Sequence, residues 1–354
     1  MEVNKEIALY LEDSFPLEMK PAEDTFEPEP WATNPHLQTI FGSLSLRTLG
    51  RNAMLEQSRE MIVEGGNGVR LLGYLSRRLG EESPGLVILI HGWEGSSESA
   101  YILSTGRYLF ERGFDVFRLN LRDHGRSHHL NDGLFHGALT DEVLTAAVEI
   151  SRSARRNSFI VGFSLGGNFA LRIALRAPQA GIGNLKQVVC ISPPLDPYKA
   201  TLTIDRGVKL YRHYFLRKWK RSLMTKQSLF PHRYDFRGLL RIGSCMELTE
   251  AMMGLYYDFP STADYFGRYT LTGNALEALA VPVAIIAAED DPVVPVDDVC
   301  GLEPNGFLRC FVQKRGGHCG FLRPFPFGCW YERKVYVLLV TSLLRRKFFP
   351  DVKT

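Results

Sequence analysis

The sequence lacks features that mark several classes of protein. Its most apolar late stretch, residues 335–344, is far shorter than the roughly 20 residues a transmembrane helix needs. Its formal net charge is only +3, and it has no block of like charges typical of a nucleic-acid-binding tail. These absences argue against a membrane-spanning bundle and against nucleic acid as a partner.

Cysteine is sparse and scattered. The six cysteines include neither a Cys-x-x-Cys pair nor the Cys/His spacing of a zinc finger. We therefore expect reduced thiols. Residues 1–6 have neither the basic start nor the apolar core of a signal peptide, so we expect a cytoplasmic protein.

The bulk composition is that of a globular protein. With 45% hydrophobic and 23% charged residues, the chain resembles neither a disordered nor a membrane protein. Its 354 residues can form one large α/β domain with an insertion, or two ordinary domains. Residues 1–30 are acidic and rich in proline, which predicts a loosely held N-terminal arm.

From Leu86 onward, apolar strand-like runs alternate with helical patterns, after a predicted β-hairpin formed by residues 60–63 and 69–75. The predicted strands are 86–90, 115–121, 159–163, 186–191, 282–288 and 308–312, and helical patterns such as 100–111, 141–153 and 168–176 lie between them. Apolar strands that alternate with helices indicate an α/β fold with a mostly parallel sheet covered by helices on both faces.

One segment, residues 195–273, interrupts this alternation without a convincing strand. Side chains at 208, 211, 215, 219 and 223 follow three- and four-residue steps, which predict an aromatic-rich helical face. We interpret 195–273 as a helical lid inserted into an α/β core that comprises residues 31–194 and 274–347.

A Gly-x-Ser-x-Gly pattern, Gly162 to Gly166, lies between an apolar strand-like run and an amphipathic helical pattern. In a strand–turn–helix context it indicates a nucleophile elbow, in which Ser164 occupies a tight, strained turn. The glycines leave room where side chains of the strand and the helix would collide. Taken alone, the pattern fits a glycine-rich packing corner equally well.

A serine nucleophile needs a histidine base, and the base needs an acid to orient it. In a doubly wound hydrolase sheet, the order along the chain is serine, acid, histidine. Of the nine histidines, only His318 follows both Ser164 and the last credible acid. It lies in a glycine-rich loop beyond the final predicted strand, so it is the candidate base.

The acid is expected after the strand at 282–288. Three acidic side chains compete there, Glu289, Asp290 and Asp291, and an acidic turn exposed to solvent is the simpler interpretation of them. Asp196, which follows the strand at 186–191, is a more distant alternative for the same role.

An oxyanion formed during attack by the serine needs two backbone N–H donors. Leu165, which follows the candidate nucleophile at the start of a helix, would supply one of them. The second would come from the loop after the strand at 86–90, with Trp93 as the expected donor. His91 precedes Ser164, and we assign it to the architecture of this loop.

With these residues in view, the chain resembles the α/β-hydrolase fold. More narrowly, it is similar to the YheT-like family (AB hydrolase 4), which is related to mammalian lipid-acting α/β-hydrolase-domain proteins and yeast medium-chain ester synthases. The similarity extends from about Trp31 to Phe321. Its motifs are Asn34-Pro35-His36-Leu37-Gln38-Thr39, the loop 91–101, Asn120-Leu121-Arg122-Asp123-His124-Gly125, Leu134-Phe135-His136 and Gly317-His318-Cys319-Gly320-Phe321.

The resemblance implies several properties. The family spacing Asp-x-x-Val-Pro favours Asp291 over Asp290 as the acid. The family acts on carboxylic esters, often with short or medium acyl chains or lipids. The mechanism expected from the serine, acid and histidine requires no metal or organic cofactor. We therefore expect a serine ester hydrolase that works through Ser164, Asp291 and His318. An acyltransferase that forms esters with an alcohol shares the same acyl-enzyme, and a non-catalytic binding protein on this scaffold is the other alternative.

The predicted lid is also basic. Between residues 206 and 241 the only acid is Asp235, and the basic residues are interleaved with aromatic ones. This pattern is typical of a helix that lies on an anionic membrane, so peripheral membrane contact is one hypothesis. The alternative is a lid whose aromatic face covers the site while its basic face is solvated. Co-sedimentation with anionic and neutral vesicles separates the two.

Overall fold

The computed structural model describes residues 25–78, 80, 82–323 and 328–348. The first 24 residues of the arm predicted for 1–30 lie outside the described residues. At the described end of this arm, Phe26 is buried: its backbone N–H donates to Gln313 Oε1 at 2.7 Å, and its ring contacts Phe321 and Trp330. This end of the arm is therefore fixed on the core.

The described residues form an eight-stranded sheet in the order β1-β2-β4-β3-β5-β6-β7-β8. The strands are β1 (Ser58–Gly66), β2 (Val69–Ser76), β3 (Gly85–Ile90), β4 (Asp115–Leu119), β5 (Asn157–Phe163), β6 (Leu185–Ile191), β7 (Val283–Ala288) and β8 (Leu308–Gln313). β2 pairs antiparallel with β1 and β4, and every other pairing within this sheet is parallel. The predicted fold class is confirmed.

Helices cover both faces of the sheet. The helices of the described residues are α1 (Pro35–Gly42), α2 (Ala53–Glu56), α3 (Ala100–Phe110), α4 (Thr140–Arg152), α5 (Leu165–Arg176), α6 (Pro197–Arg206), α7 (Lys209–Leu229), α8 (Cys245–Leu255), α9 (Thr262–Gly267), α10 (Asp297–Cys300) and α11 (Trp330–Phe348). Short 3₁₀ turns occupy Pro30–Ala32, Ser45–Thr48 and Leu239–Arg241, and β9 (Leu322–Arg323) pairs with β10 (Gly328–Cys329).

Two apolar cores lie on opposite faces of the sheet because side chains alternate along each strand. In β3, Ile88 belongs to the core under α4 and α5, whereas its neighbours Val87 and Leu89 belong to the core under α3 and α11. All six residues of β3 are buried. Burial on both faces explains why the central strands are continuous apolar runs in the sequence.

Two predicted element ends differ from the structure near the site. The strand predicted for 115–121 ends at Leu119, because the backbone N–H of Leu121 donates to His91 Nε2 and the chain turns into a loop. The helical pattern at 168–176 extends back to Leu165, directly after Ser164, where the oxyanion argument places the start of the helix. Gly166 and Gly167 disfavour helix by intrinsic propensity, and tertiary packing overrides this preference.

All the regular structure between β6 and β7 within the described residues is helical, comprising α6 to α9 and one 3₁₀ turn. These helices share a small apolar core that includes Tyr211, Trp219 and Leu248. A buried ion pair joins α7 to the sheet domain, since Lys226 Nζ lies 2.7 Å from Asp123 Oδ1 and also donates to a backbone carbonyl.

Helix α7 has two distinct faces. Tyr211, Trp219 and Leu223 of the predicted aromatic-rich face are buried, but Val208 precedes the helix and is 47% exposed. The prediction that Val208 belongs to this helical face was wrong, because the helix begins one residue later. The outer face carries exposed Leu210, Tyr214, Arg217, Arg221 and Met224 at three- and four-residue steps. Contact between this face and a membrane stays a prediction.

None of the helices in the described part of the chain combines the length and apolar character needed to span a bilayer.

Candidate active site

Ser164 lies at the sharp turn between β5 and α5, with φ 50° and ψ −123°. Such a positive φ is strained for a residue other than glycine. The turn also needs two glycines. A Cβ at Gly162 would lie 2.2 Å from the carbonyl oxygen of Gly166, and a Cβ at Gly166 would lie 2.3 Å from that of Ile90. Strand, helix and neighbouring loop therefore approach as closely as backbones allow, and Ser164 projects from the tip.

A chain of hydrogen bonds joins Ser164, His318 and Asp291. Ser164 Oγ lies 3.0 Å from His318 Nε2, and His318 Nδ1 lies 2.8 Å from Asp291 Oδ2. The Asp291 side chain is 2% exposed, and its Oδ1 accepts hydrogen bonds from the backbone N–H groups of Val293 and Val294. The carboxylate is thus fixed on one side by the backbone and faces the imidazole on the other.

The competing acids have other partners. Asp290 Oδ1 accepts a hydrogen bond from the backbone N–H of Gly317 at 2.9 Å, and burial raises the pKa of its carboxyl group. Asp196 caps α6 by accepting from the N–H of Lys199. The structure brings Asp291, and neither of these two, into contact with His318.

The backbone N–H groups of Trp93 and Leu165, near Ser164, have no acceptor among the described residues. The N–H groups on either side of Trp93 are occupied, since Gly92 donates to Tyr101 Oη and Glu94 donates to His124 Nε2. The loop lies against the serine, because a Cβ at Gly92 would be 3.0 Å from Ser164 Cβ. Donors that are held in place without a partner suit a developing oxyanion.

His91 is fully buried and holds this loop in shape. Its Nε2 accepts from the N–H of Leu121 at 3.1 Å, and its Nδ1 donates to the carbonyl of Gly92 at 2.8 Å. Burial lowers its pKa to about 4, so it is neutral at pH 7. Both ring nitrogens are occupied, as expected of a histidine in the loop architecture.

Sequence reasoning assigned no role to α1, yet this helix holds the His318 loop. Asn34 caps the helix, and Thr39 Oγ1 accepts a hydrogen bond from the backbone N–H of His318 at 2.9 Å. Gln38 is fully buried, and its Oε1 accepts from the N–H of Leu322 at 2.7 Å. The sequence offered one signal of this role, polar side chains within a short helical pattern, but it does not show which groups they contact.

We expect Thr39→Val to lower kcat by roughly 10- to 100-fold with little change in KM. Valine keeps the shape of threonine but removes the acceptor for the His318 N–H, and small displacements of a catalytic group can cost about that much in rate. Steady-state kinetics on an acyl ester measure the effect. Thr39→Ser keeps the hydroxyl and should restore most of kcat. Equal losses in the two variants would contradict the positioning role.

Ser164 opens into a cavity of about 790 Å³, its open mouth included. Trp93 and Phe135 from the sheet domain line it together with Phe215, Trp219 and other side chains of the inserted helices. The Trp93 ring stacks on Phe215 at a centroid distance of 5.1 Å. No Lys, Arg, Asp or Glu side chain occurs among the described lining residues. The cavity therefore suits apolar, uncharged groups.

Within the described ranges, no group of three or more His, Cys, Asp or Glu side chains is arranged to hold a metal ion.

A mostly parallel sheet with a strained serine at the carboxyl end of a central strand, a late histidine and an apolar cavity defines the class of α/β-hydrolases. The chain belongs to the alpha/beta hydrolase fold family, whose model matches residues 85–323.

Several known proteins are similar to this chain in sequence or in structure. Protein ABHD15 of Homo sapiens is 26% identical over 319 residues, which cover 86% of this chain and 66% of that protein, so the chain spans just under two thirds of its length. Esterase Rv0045c of Mycobacterium tuberculosis is 26% identical over 245 residues, covering 66% of this chain and 76% of the esterase. The structure of Pyrococcus furiosus esterase Pf2001 superposes with a TM-score of 0.51 at 15% identity, covering 81% and 91% of the two chains, and supports the fold.

Proposed function

We propose that this protein is a serine hydrolase that cleaves carboxylic esters. The observation that carries the proposal is the continuous hydrogen-bonded path from Ser164 Oγ through His318 to Asp291, which opens into an apolar cavity. A binding protein has no physical need for a strained serine that contacts a histidine–carboxylate pair. The similarity to a protein described as an esterase supports the same conclusion.

In the proposed mechanism, His318 Nε2 accepts the proton of Ser164 Oγ as that oxygen attacks the carbonyl carbon of the ester. The carbonyl oxygen becomes an oxyanion that accepts hydrogen bonds from the N–H groups of Trp93 and Leu165. Asp291 stabilises the imidazolium ion that forms and keeps Nδ1 protonated. Collapse of the intermediate breaks the ester C–O bond, and His318 returns the proton to the departing alcohol.

The acyl-enzyme is then cleaved by water. His318 accepts a proton from the water as its oxygen attacks the acyl carbon, and it returns this proton to Ser164 Oγ when the acid leaves. An alcohol in place of water would give a new ester. The two outcomes share every residue of the site, so the acceptor decides between hydrolase and acyltransferase.

We propose short- or medium-chain acyl esters or lipid esters as substrates, in line with the YheT-like resemblance. The aromatic and aliphatic lining of the cavity supports this, because it offers apolar contact and no charged side chain among the described residues. Residues 195–273 would act as the lid, since α6 to α9 contribute much of the cavity wall opposite the loops of the sheet domain.

The test is turnover of p-nitrophenyl esters of increasing acyl length by the full chain, together with labelling by a fluorophosphonate probe and Ser164→Ala as the control. We expect wild type to react with the probe and to show a maximum along the acyl series. Product analysis with added alcohol then separates hydrolysis from acyl transfer. Wild type that neither labels nor turns over any ester would favour a non-catalytic binding protein.

A further inference from the structure

The wall of the active-site cavity contains a histidine outside the proposed catalytic residues. His136 follows Phe135 in the loop before α4 and is one of the residues that line the cavity next to Ser164. No hydrogen bond to either ring nitrogen is formed among the described residues; Nδ1 is shielded from solvent, so Nε2 is the nitrogen that a substrate can reach. A shielded polar atom without a partner is rare in folded proteins, because its desolvation is not compensated.

The backbone on both sides of His136 is firmly held. Phe135 donates its N–H to Asp123 Oδ2 at 3.0 Å, and its carbonyl accepts from Tyr257 Oη at 2.7 Å. Gly137 donates its N–H to Tyr265 Oη at 3.0 Å, and its carbonyl accepts from Arg172 Nη2 at 2.8 Å. Four hydrogen bonds from different parts of the fold therefore fix this loop.

Among the described residues, three aromatic rings contact the His136 ring. Tyr257, Phe259 and Tyr265 meet it edge to face, with centroid distances of 5.2, 5.3 and 6.2 Å. Other polar groups of the cavity wall are already used, since the hydroxyls of Thr201 and Thr249 donate to backbone carbonyls of their own helices. His136 is thus a preorganised side chain with unused hydrogen-bonding capacity in an otherwise apolar wall.

The charge state of His136 restricts its partner. Burial, together with the positive charges of Arg122 and Arg172, lowers its pKa to about 4, so the ring is neutral at pH 7. A neutral imidazole offers one N–H donor and one nitrogen acceptor. A hydroxyl group can match either of these. A charged group is a poor match, because the described lining residues include no Lys, Arg, Asp or Glu that could pair with it.

We propose that His136 is a substrate-recognition residue that forms a hydrogen bond with a hydroxyl group of the ester substrate. This inference rests on the proposed ester hydrolase function and narrows its substrate class to hydroxyl-bearing esters. The hydroxyl belongs either to the acyl chain or to the alcohol that leaves, and matched substrate pairs distinguish the two positions.

The experiment compares kcat/KM within two pairs of esters. Glycerol monobutyrate against propyl butyrate reports a hydroxyl on the alcohol side, and p-nitrophenyl β-hydroxybutyrate against p-nitrophenyl butyrate reports one on the acyl side. Wild type should prefer the hydroxylated member of one pair by about tenfold, the order of magnitude of one net hydrogen bond. His136→Phe, which keeps a ring of similar size without nitrogen atoms, should bring that ratio close to one.

Two further variants complete the test. His136→Asn keeps a donor and an acceptor and should retain part of the preference. His213, an exposed histidine on α7 outside the cavity lining, provides the control His213→Phe, in which the ratio should equal that of wild type. Wild type without preference in either pair, or a preference that persists in His136→Phe, would overturn the inference. Failure to turn over any of the four esters would instead contradict the proposed function.

Discussion

Ser164→Ala should lower kcat for acyl esters by at least about 10⁴-fold and abolish labelling by a fluorophosphonate. The substitution removes the oxygen that would attack the acyl carbon, and His318 and the oxyanion donors cannot replace it. Serine hydrolases that lose the nucleophile typically lose about six orders of magnitude in kcat and keep only the rate supplied by binding and the oxyanion hole. Turnover of a p-nitrophenyl ester and probe labelling measure both effects.

A second buried serine provides the matched control. Ser158 lies in the same strand, β5, and its Oγ donates to Asn184 Oδ1 at the opposite end from the cavity. Ser158→Ala should therefore label and turn over ester as wild type does, although it loses some stability. Labelling of Ser164→Ala at a wild-type rate would place the nucleophile at another residue and would contradict the proposed mechanism.

The elbow was predictable because its signal is local. Gly162, Ser164 and Gly166 stand within five residues, and the strand before them and the helix after them are visible as hydrophobic patterns. His318 was predictable for another reason, since the order of residues along a hydrolase sheet leaves one histidine late enough in the chain. Both inferences use only composition, spacing and order.

The choice between Asp290 and Asp291 could not be made from the residues alone. The two carboxylates are adjacent in the sequence, and the backbone turn after β7 decides which of them faces His318. In the structure, Val293 and Val294 donate to Asp291, whereas Gly317 donates to Asp290. Spacing taken from the YheT-like resemblance selected Asp291, but the physical reason lies in backbone hydrogen bonds that no pattern shows.

The contacts that hold the candidate active site in place were the least predictable feature of the structure. Thr39 and His318 are 279 positions apart, so no local pattern relates the hydroxyl of one to the backbone N–H of the other. The same holds for His136, whose significance depends on which polar atoms of the cavity wall lack partners. Packing between distant segments determines both, and a single sequence contains no measure of it.

Asp291→Asn should lower kcat/KM by about 10⁴-fold, whereas Asp290→Asn should change it by less than about tenfold. Asp291 Oδ2 accepts the Nδ1 proton of His318, and an amide N–H at that position would favour the wrong tautomer of the imidazole, a defect that costs about 10⁴-fold in a serine protease. Asparagine at 290 keeps an oxygen that can accept from Gly317, so the His318 loop retains its contact.

The pair is a demanding comparison because both substitutions exchange one carboxylate for an amide of the same size at neighbouring positions. Each variant removes one negative charge, so a general electrostatic effect on the site would lower kcat/KM in both by similar factors. Only a directed hydrogen bond to His318 predicts a difference of about three orders of magnitude between them. Steady-state kinetics on one p-nitrophenyl ester measure both variants, and the rate of fluorophosphonate labelling provides an independent measure of Ser164 reactivity. A larger loss in Asp290→Asn would transfer the orienting role to Asp290.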